Sequence, residues 1–274
     1  MADDTTLIDS HKDLTTLATR FNEELVNIVH WLNANRLSLN IDKTNFMVFT
    51  PKNKNNVKPN IMINGSHIDQ VKKAKFLGVI IDCNLNWTDH IKHVTQKISK
   101  GIGIIIKARK YFNRETLLNL YNTLILPFIS YCIHIWGTAA NIHSNKIHIL
   151  QKKIVRIICG VPPRTHSQPL FDQLKIMTIH QIYRYYVGVF MYKLYHKLIP
   201  PIFYMFKLTT DVHSYPTRQK NSYYTQFVPT VRSQKTIKIT GTNLWNILRK
   251  KLNIQNKISS YKLNLKRFLI STDL

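Results

Sequence analysis

Apolar residues recur at three- and four-residue steps from Trp87 onward, whereas before Trp87 they do so in only one long segment. That division restricts the fold to a short α/β layer followed by a mostly helical body, an α+β protein. In the first part, Leu14, Leu17, Ala18, Phe21, Leu25, Ile28, Val29 and Leu32 make one stripe on a helix of roughly 20 residues. Ser10 and Asp13 have the spacing of a capping box at its start. A stripe of this kind needs a sheet to cover. The strands predicted for it are residues 5–9, 45–50, 61–63, 67–68 and 75–81, with Asn64-Gly65 as a hairpin turn. Residues 52–58, rich in Lys and Asn and closed by Pro59, read as an exposed loop.

In the helical part, Thr88 is a plausible N-cap, and Ile91, Val94, Ile98, Ile102 and Ile105 form one face. Lys92, Lys97, Lys100 and Lys107 fall elsewhere on this helix, with Arg109 and Lys110 near its end. Such a helix can lie along a phosphate backbone; a solvated lysine face is the alternative. Asn113 caps the next helix, with a kink at Pro127, where the ring removes a helical hydrogen bond. Residues 142–159 form a third helix that ends at Gly160. Pro162-Pro163-Arg164-Thr165 is a linker-like break. Beyond it, Tyr183-Arg184-Tyr185-Tyr186 and Tyr192-Lys193-Leu194-Tyr195-His196-Lys197 interleave aromatic and basic residues, either a surface for stacked bases and phosphates or helical tyrosines of a core. Pro200-Pro201 ends that helix. Residues 211–240 read as loop with short strands, and 242–252 and 258–270 as closing helices.

The net charge is +25. Residues 1–50 hold seven acidic and four basic residues, a net of −3, which leaves +28 to residues 51–274. A field of that sign attracts polyphosphate, and counterion release makes such binding salt-dependent. Nucleic acid is therefore the leading partner, against an accumulation of Lys, Asn, Ile and Tyr from an AT-rich gene. Cys83, Cys132 and Cys159 are far apart and odd in number, which indicates no disulfide framework and points to a reducing compartment, nucleus or cytoplasm. No secretory signal is read, and residues 117–136, the nearest thing to a membrane span, are broken by Asn119, Asn122, Pro127 and His134. His90-x-x-His93 and His143-x4-His148 lack partner ligands, and no two cysteines have zinc-finger spacing. No Gly-rich phosphate loop, Gly-x-Ser-x-Gly or acidic endonuclease-like cluster is present.

One acidic feature stands against this basic background. In Met1-Ala2-Asp3-Asp4-Thr5-Thr6-Leu7 two adjacent carboxylates run into an apolar stretch. Carboxylate oxygens on a tight turn suit divalent cations in two-metal phosphoryl transfer, although a solvated turn has the same sequence. Downstream follow Trp31-Leu32-Asn33-Ala34-Asn35-Arg36-Leu37-Ser38-Leu39-Asn40-Ile41-Asp42-Lys43-Thr44, Lys75-Phe76-Leu77-Gly78-Val79-Ile80-Ile81-Asp82 and Leu85-Asn86-Trp87-Thr88-Asp89-His90-Ile91. Then come Leu120-Tyr121-Asn122-Thr123-Leu124-Ile125-Leu126-Pro127, Tyr131-Cys132, Ile135-Trp136-Gly137, Leu150-Gln151-Lys152-Lys153 and Leu244-Trp245-Asn246. In order and spacing these segments resemble the reverse transcriptases of non-LTR retrotransposons, from the Asp pair to the C-terminal region.

The resemblance implies a right-hand polymerase whose palm carries an aromatic-Ala-Asp-Asp motif, with Met1 standing where the family has Tyr or Phe. It implies that residues 1–86 are part of the palm, 87–161 a helical thumb and 162–274 a post-thumb region. Asp3 would share two Mg2+ ions with a carboxylate on an earlier strand that has no counterpart here, and Asp4 would support it. Lys43 matches a position proposed to protonate the pyrophosphate leaving group, and Phe76, Leu77 and Gly78 match the primer grip. The partners implied are an RNA template, a DNA primer and the upstream polymerase segments. The family's Cys/His knuckle is missing, which leaves recognition to charge and stacking. The expectation is a polymerase segment that binds primer-template without polymerising alone; the alternative is a repurposed basic nucleic-acid-binding protein.

Overall fold

The computed structural model of this chain describes residues 5–49, 59–201, 206–212, 222–252, 254 and 257–272. It divides into two compact units, Met1–Asp89 and His90–Leu274. Short strands are confined to the first and helices dominate the second, so the fold class is α+β.

In the first unit the apolar stripe forms α1 (Leu14–Ala34). Asp13 is its N-cap: the carboxylate accepts the Thr16 amide at 2.7 Å and the Thr16 hydroxyl at 2.8 Å. Ser10 is therefore outside the helix, and the predicted capping box is a single cap one turn later. Residues 5–9 form no strand. Asp9 instead receives the guanidinium of Arg20, an ion pair that fixes the approach to the helix.

The strands are β1 (Asn45–Phe46), β2 (Met62–Ile63), β3 (Ser66–His67), β4 (Asp69–Gln70), β5 (Lys73–Phe76) and β6 (Val79–Asp82). β1 pairs with β4 in parallel; β2 with β3 and β5 with β6 pair antiparallel. The predicted strand 45–50 is thus two residues long among those described, and the loop read over 52–58 lies outside the described residues. Asn64 (φ 50°) and Gly65 (φ 79°) make the predicted two-residue turn, both in the left-handed region that such hairpins require. The stripe of α1 does cover this layer. Leu25, Ile61, Ile63 and Ile68 are buried together, flanked by Phe21, Val29, Ile41 and Phe46. Asn22 locks helix to strand, donating to the Asn60 carbonyl at 2.9 Å and accepting the Met62 amide at 3.0 Å.

The second unit is helical: α2 (Thr88–Ala108), α3 (Arg114–Leu124), α4 (Leu126–Ser130), α5 (Ile133–Trp136), α6 (Asn141–Cys159), α7 (Gln168–Leu174), α8 (Ile179–Tyr195), α9 (Val231–Gln234), α10 (Ile237–Lys251) and α11 (Ile258–Ser271). Asn113 caps α3 as expected, its Oδ1 accepting the Thr116 amide at 2.9 Å, and left-handed Gly160 (φ 68°) stops α6. Pro127 does more than kink a helix. It opens α4 after a break at Ile125, because a ring that cannot donate is best tolerated in a first turn. α10 starts at Ile237 rather than 242: Thr242, the first residue of the predicted helix, is buried inside the helix with its hydroxyl on the Lys238 carbonyl.

α8 is the centre of this unit and packs against α4, α5, α6, α10 and α11. A helix surrounded on several sides must be apolar nearly all round, and Ile182, Val187, Met191 and Tyr192 are completely buried. Tyr192 stacks on Tyr261 with centroids 4.4 Å apart, beside buried Trp245, Leu248, Leu265 and Leu269. Of the tyrosines in the predicted second nucleic-acid surface, Tyr192 is core, Tyr183 is half-buried with its hydroxyl donating to Thr240 Oγ1 at 3.0 Å, Tyr185 and Tyr195 are partly buried, and Tyr186 is exposed. Close approach sets the packing distance elsewhere. A Cβ on Gly137 would sit 2.4 Å from both the Ile133 carbonyl oxygen and a Tyr183 ring carbon, so no other residue fits there.

The N-terminus of α8 is held by buried amides. Thr178 and Gln181 form a capping box, and Gln181 Nε2 donates to the Leu269 carbonyl near the end of α11 at 2.7 Å. Gln151 of α6, fully buried, accepts the Ile179 amide at 2.7 Å and donates to the Tyr121 hydroxyl and the Met177 carbonyl, each at 3.2 Å. Replacing Gln151 by Ala leaves those three groups buried without partners, so Gln151→Ala is expected to lower unfolding stability by about 3 kcal/mol. Urea denaturation of parent and variant measures it, and a loss under about 0.5 kcal/mol would contradict this role.

Two histidines add a pH dependence. Burial pushes His90 down to about 4, edge-on to Trp136 at 5.3 Å, and His148 down to about 4, stacked on Phe171. Unfolding returns both towards the ordinary value near 6.5, so between about 6.5 and 4 the unfolded chain binds more protons. Their stabilising contribution is therefore complete above pH 6.5 and is lost as pH falls through that window. Melting curves from pH 7 to 4 should show a falling Tm, and a His90→Gln, His148→Gln double variant should show a shallower fall than the parent.

Candidate nucleic-acid interface

The net charge is not shared between the units. Residues 1–89 contain ten acidic and ten basic residues, whereas residues 90–274 contain 29 Lys and Arg against four acidic residues, Glu115, Asp172, Asp211 and Asp273. The second unit thus carries the entire +25 and cannot neutralise it from within.

α2 shows how that charge is displayed. Ile91, Val94, Ile98, Ile102 and Ile105 are buried, while Lys92, Lys97, Lys100 and Lys107 are all exposed. At about 100° per residue the isoleucines hold one side and the lysines fan over about 140° of the other, so the core keeps the lysines outward. The row from Lys92 to Lys107 is about 22 Å long at 1.5 Å per residue. That is the axial length of about six phosphates on one strand of a duplex. Arg109 and Lys110 are exposed just beyond it.

The turn that follows holds residues that the sequence reading passed over. Tyr111 is 82% and Phe112 53% exposed, between Lys110 and exposed Arg114. Both amides return to the Ala108 carbonyl, at 3.0 and 3.1 Å, which closes the end of α2 and leaves the rings outside. Two adjacent aromatics with no core to enter, flanked by cations, can stack on unpaired bases. The signal available in the sequence was the run Lys110-Tyr111-Phe112-Asn113-Arg114, in which the Asn113 cap already declares a turn.

The first unit holds the remaining candidate residues. Asp3 and Asp4 lie outside the described residues. Lys43 is exposed at the end of a single 3-10 turn (Ile41–Lys43), its amide bound to Asn40 Oδ1 at 3.1 Å. Phe76, Leu77 and Gly78 share one turn, because the predicted strand 75–81 folds back there as the β5–β6 hairpin with Phe76 opposite Val79. Leu77 has φ 44° and Gly78 φ 82°, and Leu77 is 65% exposed. A leucine in the left-handed region without burial in return is strained, and such strain concentrates at functional positions.

Asp82 explains the rest of this motif. Its carboxylate accepts the amides of Asn84 at 3.0 Å, Asn86 at 3.0 and 3.1 Å, and Trp87 at 2.9 Å. It thereby holds a turn in which Leu85 and Trp87 both have positive φ. Among the described residues no group of three or more His, Cys, Asp or Glu is placed to hold a metal ion, and no helix is long and apolar enough to cross a membrane. Cys83, Cys132 and Cys159 are free thiols.

Replacing Leu77 by Asn, which tolerates the left-handed region, is expected to raise stability by about 1 kcal/mol. Thermal denaturation measures this, and a lowered Tm would mean that the leucine side chain is structurally required.

No family model and no solved structure matches the chain. Curated relatives do. The chain is 27% identical over 178 residues to the RNA-directed DNA polymerase from mobile element jockey of Drosophila melanogaster, covering 64% of this chain and 19% of that protein. It is 28% identical over 181 residues to the jockey polymerase of Drosophila funebris, covering 65% and 20%. It is also 28% identical over 186 residues to the probable RNA-directed DNA polymerase from transposon BS of Drosophila melanogaster, covering 66% and 20%. The match therefore spans about a fifth of each relative's own length. By these matches this chain is similar to the RNA-directed DNA polymerases of non-LTR retrotransposons.

Proposed function

We propose that this chain serves as the nucleic-acid-binding part of such a polymerase, gripping an RNA template paired with a DNA primer. The carrying observation is α2, whose buried isoleucines turn Lys92, Lys97, Lys100 and Lys107 outward in a unit with 29 basic and four acidic residues. In this reading residues 1–86 belong to the palm, 87–161 to the thumb and 162–274 to the post-thumb region. Arg109 and Lys110 extend the row, and Tyr111 and Phe112 cap it with stacking surface. The strained turn Phe76-Leu77-Gly78 lies against the primer end. Asp3 and Asp4 are the carboxylates for Mg2+, which would supply charge neutralisation for phosphoryl transfer, and Lys43 is the proton donor to the leaving group.

The relatives are about five times longer than the matched segment, which leaves room for further polymerase segments; in this reading they lie upstream and supply the rest of the catalytic apparatus. The 274 residues alone then bind primer-template without extending it. Binding of the purified chain to a labelled RNA·DNA hybrid, single-stranded RNA and duplex DNA at several salt concentrations tests the reading. The hybrid should bind tightest. Changing Lys92, Lys97, Lys100 and Lys107 together to Gln should reduce the salt slope by about 3 to 4, near 0.9 per lost phosphate contact. Equal, weak binding to all three that is indifferent to the lysines would overturn it, and template-dependent extension by the pure chain with Mg2+ would overturn the division of labour.

A further inference from the structure

The C-terminal ends of α8 and α10 border a cavity of about 520 Å3, a size suited to a small ligand. Tyr195 and His196 come from the first helix end, and Arg249, Lys250 and Lys251 from the last turn of the second. No carboxylate is among the described lining residues. The Arg249 guanidinium lies over the Tyr195 ring, 5.4 Å from its centroid, yet its Nη1 is buried with no hydrogen-bond partner. His196 Nε2 is in the same condition, its ring wedged between Tyr192 at 4.3 Å and Tyr195 at 5.3 Å. Buried polar atoms are rarely left unpaired, and these two belong to side chains that line one basic cavity, so a hydrogen-bond acceptor admitted by a small shift of the lining would pair them.

Cations are ordinarily favoured at helix C-termini, and that accounts for part of the charge. Two helix ends contribute about −0.5 each. Three formal positive charges therefore leave about +2, enough to attract the single negative charge of a strand phosphate, whose oxygens accept hydrogen bonds from guanidinium and ammonium groups.

We propose that this cavity is a phosphate-binding pocket that holds one nucleotide of a nucleic-acid strand, its phosphate on Arg249 and His196 with Lys250 and Lys251 at the rim. This second contact rests on the reading of the chain as a nucleic-acid binder, but it belongs to a different part of the unit from the α2 lysines. The full chain is titrated with adenosine monophosphate, inorganic phosphate and adenosine at matched ionic strength while Tm is followed. The parent runs beside Arg249→Gln with Lys251→Gln, beside Lys250→Gln with Lys251→Gln, which spares the Tyr195 stack, and beside the four-lysine α2 variant.

Adenosine monophosphate and phosphate should raise Tm in the parent and in the α2 variant, and adenosine should not. The first pocket variant should weaken the response at least fivefold and the second about threefold. Labelled single-stranded RNA bound to the α2 variant should be displaced by adenosine monophosphate. Pocket variants that respond like the parent, or a parent shifted no more by phosphate than by chloride, overturn the pocket even where RNA binding stands. A pocket-dependent shift with RNA bound but not displaced overturns the strand as occupant and leaves the nucleic-acid reading standing, whereas a parent chain that binds no RNA at all overturns that reading.

Discussion

The buried amide of Gln151 is the constraint on which the second unit depends. A primary amide offers one acceptor and two donor hydrogens, and here it ties the first amide of α8, the Met177 carbonyl and the Tyr121 hydroxyl to α6. Gln181 repeats the device from the other side, closing the capping box and taking the Leu269 carbonyl of α11. Each bond is modest in net worth, but none can be given up singly because the partner would stay buried and unsatisfied. The position of α8 is fixed by this network, and α10 and α11 pack against α8. A unit with 29 basic and four acidic residues repels itself. It therefore needs a core that is rigid and apolar, and the ring cluster of Tyr192 stacked on Tyr261 with Trp245 tilted against it supplies it.

Where the sequence could be read, one local cause dominated. The stripe of α1 and the isoleucine face of α2 are periodic over about five turns, long enough for burial to dictate the helix. Asn64-Gly65, Asn113 and Gly160 were legible because each residue type matches one backbone need. The errors fall where two causes compete. Leu77 carries no turn signal, so the hairpin hid inside an apolar run that reads as one strand. Ser10 and Asp13 are both good cap residues, and it is the Asp13 carboxylate that takes the Thr16 amide. The tyrosines of α8 interleave with cations as a binding surface would, but α8 is enclosed by other helices, which no local pattern in α8 announces.

Most of the segments that carried the resemblance have structural duties. Trp136 is fully buried and donates to the Tyr131 carbonyl at 2.8 Å; Gly137 admits no Cβ; Asp82 gathers three amides; Asn246 pairs with both backbone groups of Tyr223, at 3.0 and 2.9 Å. These are positions where one residue type satisfies one geometry, so they announce a scaffold before they announce a chemistry. The candidate contacts to nucleic acid are of the opposite kind. The lysines of α2 require only that the opposite face be apolar, and Arg, or a shift of one turn, would serve a phosphate row nearly as well. Kinship read from the scaffold and function read from the charged faces are thus separate inferences. They meet in α2, where the isoleucines that make the helix part of the fold also aim its lysines outward.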